Sequence, residues 1–152
     1  SLNSRVSKIL GRCSRIDKFT IIMNTQANDF GQMKVFKNSA LNLKIEELYV
    51  MNEVWEQDFK SLCLEFCRGN RIQHLRFWSP HLTLSQLTEN YSAVFLNEVT
   101  RCVPSIAIEH LPKEIIDYWP FLLAEMKNLA EAYIKKRENS YTVHIRANYD
   151  HD

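Results

Sequence analysis

Glycine is scarce in this sequence: Gly11, Gly31 and Gly69 are the three present in 152 residues. A loop that cradles phosphate needs glycines at several close positions, so that backbone N–H groups can reach the anion. These three are too far apart to write a P-loop or a dinucleotide fingerprint. Net charge is lacking too. With 19 basic and 18 acidic side chains the balance is +1, so there is no global pull toward nucleic acid or an anionic membrane. No apolar run approaches the roughly 18 residues that a membrane-crossing helix needs, and the opening "SLNSRVSKILGRCSR" lacks the unbroken apolar stretch of a secretory signal. The four cysteines, Cys13, Cys63, Cys67 and Cys102, form no paired C-x-x-C at zinc-site spacing. They read as reduced thiols of an intracellular chain, cytoplasmic or nuclear.

What is present is a repeated pattern. "IEELYV" at 45–50 and "IQHLRF" at 72–77 both read apolar-x-x-apolar-x-apolar. The pattern recurs at Ile16, Phe19 and Ile21, at Val103, Ile106 and Ile108, and more weakly at Ser140, Val143 and Ile145. The central residues fall at 19, 48, 75, 106 and 143, at intervals of 29, 27, 31 and 37. The last four residues of each copy alternate as a strand does. Self-similarity at such a period is a signature of stacked repeats.

Between copies the period becomes helical. Val54, Trp55, Phe59, Leu62, Cys63, Phe66 and Cys67 form one apolar stripe, with Asn52 expected as N-cap and Gly69 as the stop. Leu84, Leu87, Tyr91, Val94, Phe95 and Val99 form a second, capped by Thr83 or Ser85. A third helix is expected from about Phe121 to Lys136, with Leu122, Met126, Leu129, Ala130 and Tyr133 inward. The first ten or so residues suggest one more short helix. Residues 24–42 are polar and read as a loop, with "KVFK" a candidate short strand.

The strand core and period resemble leucine-rich repeats of the longer strand-plus-helix kind, from Ile16 to Ile145. The Asn or Cys that usually follows the strand is missing or displaced, which favours a divergent version. The opening "VSKILGRCSRIDKFTI" is similar to the start of the repeat region in F-box proteins. That resemblance implies an α/β solenoid over residues 1–152, parallel strands on one side and helices on the other, within a longer chain. It also implies a substrate-recruiting role beside a ubiquitin ligase.

Alternation assigns the faces of the strands. Leu48, Val50, Leu75, Phe77, Ile106, Ile108, Val143 and Ile145 point to the helices. The opposite face carries three expected columns: Thr20, Tyr49, Arg76, Ala107, His144; Ile22, Met51, Trp78, Glu109, Arg146; and Lys18, Glu47, His74, Ser105, Thr142. Trp, Tyr and Arg are the types that dominate binding hot spots. The expected partner-binding residues are therefore Glu47, Tyr49, Met51, His74, Arg76, Trp78, Glu109, His144 and Arg146, and the expected partner is another protein.

Catalytic readings are weaker. Cys63 or Cys67 with His74 or His144 could make a nucleophile and base, but both thiols lie on a buried stripe, where burial makes a thiol inert. Glu46 and Glu47 are adjacent on a strand and form no carboxylate dyad. His144, Asp150, His151 and Asp152 are metal-capable types on a terminal tail. The expectation is a non-enzymatic binding domain without metal or cofactor. Single-stranded RNA, suggested by "NRIQHLRFW", is the second reading.

Overall fold

The computed structural model describes residues 8–9, 12, 14–23, 42–52, 57–78 and 82–149. Six strands make one sheet: β1 (Arg15–Met23), β2 (Lys44–Asn52), β3 (Arg71–Trp78), β4 (Ser105–Leu111), β5 (Leu129–Lys136) and β6 (Tyr141–Ala147). Their spatial order is β1-β2-β3-β4-β6-β5. β1 to β4 are parallel and lie in chain order, as the repeat predicts. β6 then runs antiparallel to β4, and β5 antiparallel to β6. The fold is α/β with a mixed sheet, and the expected all-parallel solenoid is corrected by this reversed pair.

The opening motif has a geometric cause. Strict alternation would put Ile45 on the same face as Glu47 and Tyr49, yet Ile45 is buried in the core with Leu48 and Val50. The registered pairs skip Asp17, Glu46 and Gln73 alike. Alternation breaks at the same level in each strand while the strands stay in register, and apolar-x-x-apolar-x-apolar is the sequence trace of that break.

The helices α1 (Gln57–Gly69), α2 (Leu84–Asn90), α3 (Ala93–Thr100) and α4 (Ile115–Glu125) supply Cys63, Phe66, Leu87, Phe95, Leu96, Val99, Ile115 and Leu122 to the core. Phe77 of β3 packs its ring 5.7 Å from Tyr91 and 6.0 Å from Phe95. The expected second stripe is two helices. Thr83 closes a capping box with Gln86 on α2, and the Ser92 hydroxyl accepts from the Phe95 N–H on α3. Each side chain satisfies an N–H that has no partner within its helix. The break turns Val94 outward, 77% exposed, and leaves Leu84 47% exposed, so neither joins the stripe assigned to it. Gly69 ends α1 as expected. Asn52 is the last residue of β2, and the remainder of that cap lies outside the described residues, as do Val54 and Trp55, the first helix apart from residues 8–9, and the 24–41 segment.

The third helix is corrected most. α4 begins before Phe121 and carries Pro120 within its first turns. It ends at Glu125 because Asn97 of α3 takes over the chain: its Nδ2 donates to Glu125 O at 3.0 Å, and its Oδ1 accepts from Lys127 N at 2.8 Å. Asn128 follows with φ of 62°, a left-handed conformation that asparagine tolerates better than most residues. The chain leaves as β5, and Tyr133, expected inside, is 49% exposed.

A buried asparagine joins two strand entries. Asn70 Oδ1 accepts from Leu43 N at 3.0 Å and Asn70 Nδ2 donates to Phe66 O at 2.9 Å. This ties the end of α1 to the start of β2, fixing the level at which the open face begins.

Candidate functional site

The face of the sheet opposite the core cluster carries polar and aromatic side chains in rows set by strand register. The central row is Thr20, Tyr49, Arg76, Ala107, His144 and Tyr133. Beside it runs Lys18, Glu47, His74, Ser105 and Arg146. On the other side Met51, Trp78 and Glu109 are neighbours. The reversal of β6 exchanges the ends of the two outer rows. Arg146, expected beside Glu109, faces Ser105 and pairs at 3.2 Å with Glu131 of β5. Thr142, expected beside Ser105, lies toward the opposite end. His144 keeps its place because it sits at the pivot.

Arg76 organises the centre. Its Nη1 lies 2.5 Å from Glu47 Oε1 and its Nη2 2.5 Å from Glu109 Oε1. The guanidinium carbon stands 4.7 Å from the Tyr49 ring centroid, a cation–π contact. All three charged side chains are less than a third exposed. Burial works against the Arg76 charge, but the two carboxylates outweigh it and its pKa is raised. The Arg76 hydrogen bond holds the Glu47 carboxyl below its ordinary range. Burial, then the charge of Glu109, pushes the Tyr49 hydroxyl up.

Two histidines flank this cluster. His74 Nδ1 and Ser105 Oγ are 2.7 Å apart, and His144 stacks on Tyr133 at 4.7 Å. Burial leads in lowering both pKa values, so both rings are neutral at pH 7. Trp78 is half-buried, edge-on to His110 at 5.5 Å. Among the described residues its Nε1–H is the buried side-chain polar atom without a hydrogen-bond partner. His110 has φ of 58° at a register shift between Ile108 and Leu111, an irregularity that aims its ring at Trp78.

The nine expected residues thus fall on one face, seven of them around Arg76, with Arg146 at its rim. Sequence reasoning missed Tyr133, which it placed in a helix, and did not single out Ser105 or His110. A usable signal for Tyr133 lay in "RENS", a turn-like stretch before β6 that suits a hairpin. Cys63 and Cys67 are buried on the helix side, away from this face and its histidines. Among the described residues no three His, Cys, Asp or Glu are grouped to hold a metal, and Asp150, His151 and Asp152 lie outside them. No described helix is long and apolar enough to cross a membrane.

No family model and no curated protein matches this chain. A solved structure, M. capricolum TrmK in complex with the natural cofactor product S-adenosyl-homocysteine, is similar at 10% identity and a TM-score of 0.28, over 99% of this chain and 70% of that one. The resemblance to leucine-rich repeats and F-box proteins is corrected: the sheet is mixed, with β6 and β5 reversed beside β4, and no family model supports the repeat. The ligase role falls with it. The expectation of a non-enzyme is likewise withdrawn. At that TM-score the likeness assigns no activity or cofactor to this chain.

Proposed function

We propose that this chain binds a protein segment on the open face of its sheet, and that the segment presents a basic side chain flanked by apolar ones. The observation that carries this is the charge balance at the centre. Glu47 and Glu109 share one guanidinium, which leaves these three half-buried side chains one net negative charge, with the exposed Lys18 beside Glu47 on β1. Tyr49, Met51, Trp78 and Tyr133 surround it with the residue types that supply contact area and cation–π faces. Electrostatic complementarity then selects a cationic partner group. The same balance speaks against RNA, because Arg76 is already matched by carboxylates and a negative centre repels phosphate. The free thiols Cys63, Cys67 and Cys102 suit an intracellular setting.

The test is a heteronuclear NMR titration with short peptides carrying one arginine or lysine between apolar residues, acidic peptides of equal length, and single-stranded RNA. The basic set is expected to shift the backbone signals of Tyr49, Arg76, Trp78 and Glu109. Shifts there with RNA alone, or with acidic peptides alone, would overturn the proposal.

A further inference from the structure

His74 stands on the open face between two strands that supply its neighbours. Across to β2 its registered partner is Glu47, and across to β4 it is Ser105. On its own strand Arg76 lies two positions on and shares the face. The His74 ring is half-buried, with Nδ1 2.7 Å from Ser105 Oγ. The other charged groups around it come from the neighbouring strands. Glu109 of β4 and His144 of β6 act on the ring through their charge. Lys18 of β1 is registered with Glu47, and Arg146 of β6 with Ser105. Both of these are exposed, where solvent and salt screen them, and Arg146 is already paired with Glu131.

This position controls the charge of the centre. Glu47 and Glu109 exceed Arg76 by one negative charge, and a proton on His74 cancels it. Imidazole titrates at about pH 6.5 when nothing perturbs it. Its neighbours do not follow it there. Arg76 keeps its charge, and its hydrogen bond holds the Glu47 carboxyl below the ordinary range. Burial leads in lowering the His74 pKa, Glu47 opposes this, and Arg76 adds to it. The ring is therefore neutral at pH 7 and charges on mild acidification. No rearrangement is needed, because a hydroxyl oxygen both donates and accepts, so Ser105 can hold the ring in either state. His144 is a less direct lever. Ala107 separates it from Arg76 in the row, and burial, then Arg137 and Lys135, disfavour its charge, with Glu109 opposing them.

We propose that His74 is a proton-operated switch on the open face: neutral, it admits a basic side chain to the Glu47–Arg76–Glu109 centre, and charged, it turns that side chain away. The inference rests on the reading of this face as a site for a basic segment, and adds its regulation. Binding and protonation are then linked in both directions. A docked cation raises the cost of the imidazolium beside it, so docking drives a proton off His74. Acid, by the same coupling, drives the segment off.

The test titrates the 152-residue chain with a short peptide carrying one arginine between apolar residues, from about pH 7.5 down to about pH 5. NMR follows the His74 ring signals with and without peptide, and circular dichroism checks the fold at each pH. Affinity is expected to fall about five- to tenfold over that range, and the His74 ring to titrate at lower pH when peptide is present. His74→Gln, uncharged and still able to bond Ser105, is expected to bind equally at both ends of the range. Absence of binding at the higher pH overturns the reading of the site, and the switch with it. Peptide bound as tightly in acid, or a His74 titration that peptide does not move, overturns the switch alone. A pH dependence that persists in His74→Gln also overturns it, by placing the proton elsewhere. The ring titration of the folded wild-type chain decides the matter if the variant does not fold.

Discussion

Arg76 of β3 and Glu109 of β4 meet across the sheet with Nη2 2.5 Å from Oε1, while the other arm of the same guanidinium holds Glu47. One cation thus serves two carboxylates drawn from the strands on either side. Replacing Arg76 with Ala leaves two half-buried negative charges facing each other. The expected loss is about 1–2 kcal/mol, less than for a fully buried pair because solvent still reaches all three groups. Urea denaturation checks it, and adding Glu47→Gln and Glu109→Gln to the variant is expected to restore part of the loss.

Tyr49→Ala separates binding from folding. The ring lies under Arg76 at the centre of the face and outside the core cluster. Affinity for a basic peptide is expected to fall about tenfold or more, as for a hot-spot aromatic, with the melting temperature little changed. A large drop in melting temperature would assign Tyr49 to the stability of the sheet instead.

Asn70→Ala is expected to cost about 2–3 kcal/mol. It removes the acceptor of Leu43 N and the side-chain donor to Phe66 O at a buried site, and an unmet buried polar group costs its full desolvation. Asn70→Asp keeps the acceptor and loses the donor, so an intermediate value is expected in the same denaturation experiment.

Acid should destabilise the fold in two stages. His74 and His144 have lowered pKa values in the folded chain, burial being the first cause. The unfolded chain therefore binds more protons as pH falls through about 6.5. Linkage makes stability fall over that range and level off below the folded values. Glu47, also lowered, contributes stability above the ordinary glutamate value that is lost as pH falls through its folded pKa. Melting temperatures from about pH 7.5 down to about pH 3 check both stages, and His74→Gln is expected to flatten the first.

Ser92→Ala is expected to cost about 1 kcal/mol, since its hydroxyl accepts from the Phe95 N–H in the first turn of α3. Thr83→Ala should cost a similar amount on α2, where the bond from Gln86 N to the Thr83 hydroxyl is lost. Thermal melts of the two variants check whether α2 and α3 are separately held.

The sequence made β1 to β4 legible because each carries the same step-and-alternate trace, and alternation alone put Tyr49, Arg76 and Trp78 on one face. Direction was not written there. Parallel and antiparallel neighbours show the same alternation, so the reversal of β6 and the displacement of Arg146 were hidden. β5 was hidden for another reason. "LAEAYIKK" is rich in good helix formers, and tertiary pairing overrides such preferences. The residue that ends the helix, Asn97, lies about thirty positions upstream, where no local pattern would point to it. The charged centre was half legible: Glu47 could be matched to Arg76 from neighbouring strands, but sharing between Glu47 and Glu109 needs the lateral order of three strands.

The backward-running last hairpin also decides where this architecture stops. A further strand–helix unit could be spliced among β1 to β4, each new strand lying beside its predecessor in the same sense. Past β4 the hairpin blocks such growth, and its outer strand β5 presents Glu131, Lys135 and Lys136, all exposed, along a rim where charges discourage another chain from adding on. The protein is extensible from within and sealed at one border.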